Sequence, residues 1–284
     1  MYKKLSLLSL LFLATYAAAQ TPVQQIKVSA GQKIKIVDSL TFNIVQEAMG
    51  QTMEMPGATS SSTLLEIKSS DADKSILTST LLHISFNSSV MGQDMDYDSD
   101  KPADKGSEVG KAFEEKLNKA ENITLDNSGK TVPSPEKIAI KEEEPNGGAA
   151  DMIKNLTGGV GGNSTENAFM LLPTNSTTGS AWSDSTVFEG IKTTRTYIIK
   201  SIDNNLATIT VMGVMSGSRK MEMQGMEMNM TAGGKLDGEI IVDISNGLVK
   251  KRTSVVEPSN SIDVMGMSVP VTGKLTTVTY YQLQ

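Results

Sequence analysis

Cysteine is absent from the 284 residues, histidine occurs once, and aromatic residues make up only 5% of the chain. Without cysteine there is no disulfide framework, no thiolate nucleophile and no thiolate metal site. The lone His83 sits inside an apolar strand pattern, and nothing in the sequence singles out a serine to go with it as a nucleophile. Gly158-Gly159-Val160-Gly161-Gly162 is not followed by Gly-Lys-Ser/Thr, so it lacks the lysine and hydroxyl of a phosphate-binding loop. No stretch beyond the N-terminus is long and apolar enough for a membrane helix. The net charge of −6 disfavours nucleic acid and anionic membrane surfaces as partners. These absences leave no assembled active site and no cofactor signature. The expectation is a protein that is not an enzyme.

The first nineteen residues read as a secretory signal peptide. Lys3 and Lys4 provide the positive start, Leu5 to Ala14 the apolar run, and Ala17 and Ala19 the small-x-small cleavage pattern ahead of Gln20. The run is shorter than the ~20 residues that span a bilayer. No cysteine follows it for lipid attachment. The expected mature protein is exported, periplasmic or secreted, soluble and not lipid-anchored. Lack of disulfides in an exported chain points to a bacterial envelope.

Residues 20–284 read as a single β-rich domain, divisible into two related halves, about 20–132 and 168–284, joined by a Pro/Gly-rich connector. Ile34, Ile36, Leu40, Phe42 and Ile44 share one parity over Lys33 to Val45, the pattern of a half-buried strand. Thr63 to Ser69 and Ser75 to Phe86 form the next pair. Thr194 to Ile202, Ala207 to Met215, Gly238 to Ser245, Leu248 to Val256 and Gly273 to Leu283 follow, with Asn246-Gly247 a hairpin signal. A small hairpin is expected around Asn127-Ser128-Gly129-Lys130. Glu108 to Ala120 has near-helical apolar spacing, and Ala149 to Leu156 reads as a second short helix. Leu65 to Asp71 and Ile198 to Asp203 resemble one another, which suggests duplication. The fold class expected is mainly β (α+β): a curved antiparallel sheet or half-barrel, one opening covered by short helices at 108–120 and 149–157.

Methionine is plentiful, at 17. Met-x-Met pairs place two thioethers on one side of a strand. A hairpin turning at Gln224-Gly225 would set Met221 opposite Met228, Met223 opposite Met226, and Glu222 opposite Glu227. Met212, Met215, Met221, Met223, Met226, Met228 and Met230 are therefore the candidate ligand-binding residues, an adaptable surface for lipid or another apolar molecule. Thioethers also suit Cu(I). Asp94, Asp96, Asp98 and Asp100 are candidate ligands for calcium, although Ser99 and Lys105 stand where a calcium loop needs glycine and glutamate. A further class is a structural module that binds another envelope protein through sheet edges or an apolar patch.

Met49-Gly50-Gln51-Thr52-Met53-Glu54-Met55, Met91-Gly92-Gln93-Asp94-Met95, Leu172-Pro173 ahead of Trp182, and Asp243-Ile244-Ser245-Asn246-Gly247-Leu248 together resemble a family of exported bacterial envelope proteins of unknown function. That resemblance covers about Lys33 to Tyr281 and carries no catalytic residues. The Asp-x-x-x-Gly-Leu turn also resembles the periplasmic lipoprotein-carrier superfamily. Its members curve an antiparallel sheet around a lid of helices and hold acyl chains in the hollow, so this likeness implies a hollow of that kind.

Overall fold

The computed structural model describes residues 22–132 and 164–284, apart from positions 49, 91–92, 105, 108–109, 112, 114–115, 189, 224–225 and 265–266. The segment 1–19 read as a signal peptide, most of the expected connector and the expected helix at 149–157 lie outside the described residues. Eleven strands form one antiparallel sheet. They are β1 (Lys33–Ala48), β2 (Gln51–Ser70), β3 (Lys74–Val90), β4 (Gln93–Asp98), β5 (Ala120–Asp126), β6 (Ala181–Phe188), β7 (Ile191–Asp203), β8 (Leu206–Met223), β9 (Met226–Asp243), β10 (Leu248–Val264) and β11 (Met267–Leu283).

The strand order is β4-β3-β2-β1-β11-β10-β9-β8-β7-β6, with β5 beside the lower part of β3. Sequential neighbours pair within β1–β4 and within β6–β11, and the two stretches of chain join where β1 pairs with β11, from Ile34↔Leu283 to Gln46↔Val271. The two halves are thus parts of one continuous sheet. The sheet is open: β6 forms one edge, β4 and β5 the other. The segments alike in sequence are alike in structure. A register irregularity falls between Ile67 and Ser69 on β2 and between Ile199 and Ser201 on β7, at the same Ile-Lys-Ser string.

Strong curvature follows from three short hydrogen bonds. The amide of Ile26 donates to Asn127 O at 2.9 Å, that of Lys27 to Asn246 O at 2.9 Å, and that of Val23 to Ile244 O at 3.0 Å. Asn127 follows β5 and Asn246 precedes β10, which lie five strand spacings apart along the sheet, about 24 Å if it were flat. Adjacent amides reach both only because the sheet curls back on itself. Glycine permits the close coiling. A Cβ on Gly238 would meet Thr253 O at 2.5 Å, and one on Gly273 would meet Asn43 O at 2.6 Å.

Alternation gives the sheet an apolar inner face and a polar outer face. Ile34, Ile36, Leu65, Ile67, Leu77, Leu125, Ile199, Ile209, Ile240 and Ile244 are fully buried inside. Their core is closed below by the N-terminal segment and by residues 164–172, from which Phe169 bridges to Leu248 on β10. At this end the described chain that covers the core is irregular and not helical. Of the segment expected as a helix at 108–120, Gly110, Lys111 and Phe113 are helical, and Ala120 already begins β5. Phe113 of this segment stacks on Tyr97 at 5.9 Å and packs against a second buried cluster. This cluster, Leu40, Phe42, Phe86, Val256 and Leu275, lies higher on the same face.

The strands run well past the expected ends. Ala207 to Met215 becomes the first half of β8, and β6 had no apolar alternation to announce it. Serine, threonine and methionine arms extend the hairpins because pairing, not burial, holds them.

Candidate ligand-binding face

The upper hairpins share one construction. β1–β2, β3–β4, β6–β7, β8–β9 and β10–β11 are each joined by two residues, the second a glycine: Gly50, Gly92, Gly190, Gly225 and Gly266. Two-residue hairpins favour glycine because their twist requires positive φ, seen at Gly50 (76°) and Gly190 (82°). All five tips point away from the plugged end. Four of these turns carry methionine in or beside them in the sequence.

At the β8–β9 tip the register is Met221↔Met228, Glu222↔Glu227 and Met223↔Met226. Met228 is buried, and Met230 and Met215 are half-buried. Met212 stands apart from the other six candidates. It has the opposite parity to Met215 and projects from the outer face, 42% exposed. On the inner side of the upper arms, Ile44, Met53, Met55, Val269, Val271 and Ile262 remain only partly covered. The rim also exposes Val187, Phe188 and Met267.

Between plug and rim lies a polar layer that sequence reasoning missed. Its row across the sheet is Asp38↔Thr279↔Arg252↔Ile240. Thr279 Oγ1 donates to Asp38 Oδ1 at 2.6 Å, and burial pushes the Asp38 carboxyl above its ordinary range despite that hydrogen bond and one from Ser164. The Tyr281 hydroxyl donates to Ser164 O at 3.0 Å. On β7, the Tyr197 hydroxyl donates to Asp184 at 3.0 Å and Trp182 stacks on the Tyr197 ring at 5.2 Å. Burial, reinforced by Asp184, raises the Tyr197 phenol to about 12. Arg195 reaches the same carboxylate at 3.5 Å. Arg252 is half-buried with its Nε enclosed and without a hydrogen-bond partner. The available signal was parity. Asp38 falls between Ile36 and Leu40 on an otherwise apolar face, and Arg252 is in phase with Val256.

The four candidate aspartates do not converge. Asp94, Asp96 and Asp98 lie on β4, where residues two apart are separated by about 7 Å, and Asp94 and Asp96 are exposed. A strand cannot wrap them around one ion as a loop does. Asp98 turns instead to His83, whose Nε2 lies 3.1 Å from Asp98 Oδ1 and 3.8 Å from Asp100 Oδ2. The hydrogen bond from the Asp100 amide, and then that from His83, hold the Asp98 carboxyl below its usual range. Among the described residues this is the group of three whose ligand atoms lie within 4.8 Å of one another. It sits on the outer face, away from the methionine rim.

For residues 136–249 the chain matches a family of unknown function, DUF6263. The DUF6263 match covers less than half of the chain. It takes in the upper plug segment, β6 to β9 and the Asp243–Gly247 turn, and it stops three residues short of Arg252. No protein of curated function matches in sequence. Among solved structures, one of lipovitellin, solved for its lipid–protein interactions, is similar at a TM-score of 0.49 and 11% identity, over 91% of this chain and 26% of that one. The chain thus spans about a quarter of that relative's length. An outer membrane channel from Pseudomonas putida F1 is similar at 0.26 and 8% identity, over 92% and 99% of the two chains. At such scores neither likeness bears on function. No helix among the described residues is long and apolar enough to cross a membrane.

Proposed function

We propose that this is a non-enzymatic binding protein of the bacterial envelope that holds a lipid or another apolar molecule against the inner face of its curved sheet. The observation that carries this reading is the division of that face. Below, it is filled by the chain's own side chains. Above, Ile44, Met53, Met55, Val269, Val271 and Ile262 are apolar and incompletely covered. Removing such surface from water gains about 25 cal/mol per Å². Unbranched thioethers mould to varied apolar shapes, so little polar specificity is required. The lower hollow expected from the sequence is occupied by the plug, which restricts cargo to the upper half. The outer face, with Lys35, Asn43, Lys235 and Glu239, suits water, and export agrees with the leading nineteen residues.

Native mass spectrometry of the protein taken from its own host tests this. An adduct with the mass of a lipid, lost on organic extraction, is the expected result. An apolar dye that gains no fluorescence with the delipidated protein, together with an adduct-free spectrum, would overturn it.

A second reading is favoured by β6. This edge strand is exposed along almost its whole length, ending in Val187 and Phe188 at 69% and 68% exposure. A free edge with apolar residues at its tip suits pairing with a strand of another envelope protein. Crosslinking from position 187 in cells distinguishes this reading by capturing a single protein partner.

A further inference from the structure

We infer that Arg252 is the seat of an anionic head group, so that the cargo is a single-chain amphiphile with a negatively charged end. This deepens the binding reading above and rests on it.

Arg252 projects from β10 into the inner face between Thr279 and Ile240. Each acceptor around it is engaged elsewhere. Asp184 receives the Tyr197 hydroxyl and Arg195. Asp38 receives Thr279. The Ser164 carbonyl receives Tyr281. Among the described residues no carboxylate lies within ion-pair distance of the Arg252 guanidinium, and its enclosed Nε has no hydrogen-bond partner. An enclosed cation without a partner is costly, because desolvation is not returned by any attraction. Arginine does not escape by losing its proton. Two guanidiniums, Arg195 and Arg252, share this layer with the carboxyls of Asp184 and Asp38, and among the described residues only Arg195 has an ion pair there.

The geometry also provides access. Asp184 is half exposed, at 50%, on the edge strand β6, so the polar layer opens to solvent along the free edge. Next to Arg252 on the inner face, the paired Ser254 and Gly238 are small where the next row carries Val256 and Leu236. Farther up the inner face of β8 and β9 lie Met215, Met230 and Met228. A head group on Arg252 would thus leave its acyl chain running to the methionine rim. A planar guanidinium suits both carboxylate and phosphate oxygens.

The test uses the full chain, delipidated, with laurate, dodecyl phosphate and the neutral dodecanol as probes in isothermal titration calorimetry. The wild type is expected to bind one or both anions about tenfold or more tightly than dodecanol. The stronger of the two identifies the head group. R252M keeps an apolar stem and removes the charge. It is expected to bind all three alike and to melt no lower than the wild type, because it relieves an unpaired charge. R252K should keep part of the anion preference. Equal binding of anions and alcohol by the wild type would overturn the inference while leaving the apolar reading standing. Binding of none of the three would overturn both. A retained anion preference in R252M, or a large fall in its melting temperature, would also sink the assignment, the first by placing the head group elsewhere and the second by showing a structural partner for Arg252.

Discussion

Phe169 lies directly over Gly129: a Cβ built on that glycine would stand 2.5 Å from the Cβ of Phe169 and 3.0 Å from Ile26 Cγ2. Gly129 has a positive φ of 83°, so a side chain there meets both backbone strain and a filled space. The two residues lock the β5 turn to the plug. G129A is expected to lower stability measurably in urea unfolding. F169A is expected to cost about 3–5 kcal/mol. A melting temperature unchanged in both would show that the plug does not hold the two ends of the curl together.

The turns on either side of Ile26 use carboxylates in the same manner. Asp126 accepts from the Ser128 amide at 2.8 Å, the Ser128 hydroxyl at 2.7 Å and the Lys130 amide at 3.0 Å. Asp243 accepts from the Ser245 amide and hydroxyl and from Asn246. Burial opposes ionisation at both, yet these hydrogen bonds, with Lys130 and Lys250 nearby, keep both carboxyls below the ordinary range. A folded-state value below the unfolded one stabilises the fold above the unfolded value of about 4. That stabilisation is lost as pH falls through the lowered value. Melting temperature should therefore drop steeply below about pH 4, and D126N and D243N should each flatten that drop.

Asp38 has the opposite sign. Burial raises its carboxyl, so the folded state prefers the neutral form, and this preference turns into a cost as pH rises through the raised value. D38N keeps an oxygen acceptor for Thr279 and removes the charge. It is expected to leave acid stability unchanged and to raise the melting temperature at neutral pH, read by calorimetry at both. A lower neutral melting temperature would show that an ionised Asp38 is needed.

The rim and the single tryptophan offer a test of where cargo lies. Trp182 stacks on Tyr197 beside the polar layer, on the inner side of β6. A lipid brominated along its chain is expected to quench Trp182 emission when it occupies the inner face. M228E and M230E put charge at the apolar rim and are expected to weaken that quenching at least about tenfold in lipid concentration. M212E, on the outer face, should leave it unchanged. Equal loss in all three would place the cargo outside the sheet.

Much of the fold was legible because period-two alternation and turn chemistry are local properties. Ile34 to Ile44 declares its inner face without reference to any partner, and Gln224-Gly225 between two Met-x-Met pairs sets its own register. Strand β6 was hidden because edge position removes the burial that creates alternation. The His83–Asp98 pair was hidden because it depends on which strand lies beside β3.

β content and the face on which each apolar residue falls were determined by the sequence alone, since neighbours along one strand dictate them. Only the tertiary structure decided that five hairpins end on the side of the sheet away from the plug, that Met212 faces away from Met215, and that Arg252 faces inward without a counter-ion among the described residues. Those outcomes come from how far the sheet curls and which strands it brings together, and curl is a sum over many strands that no single segment encodes.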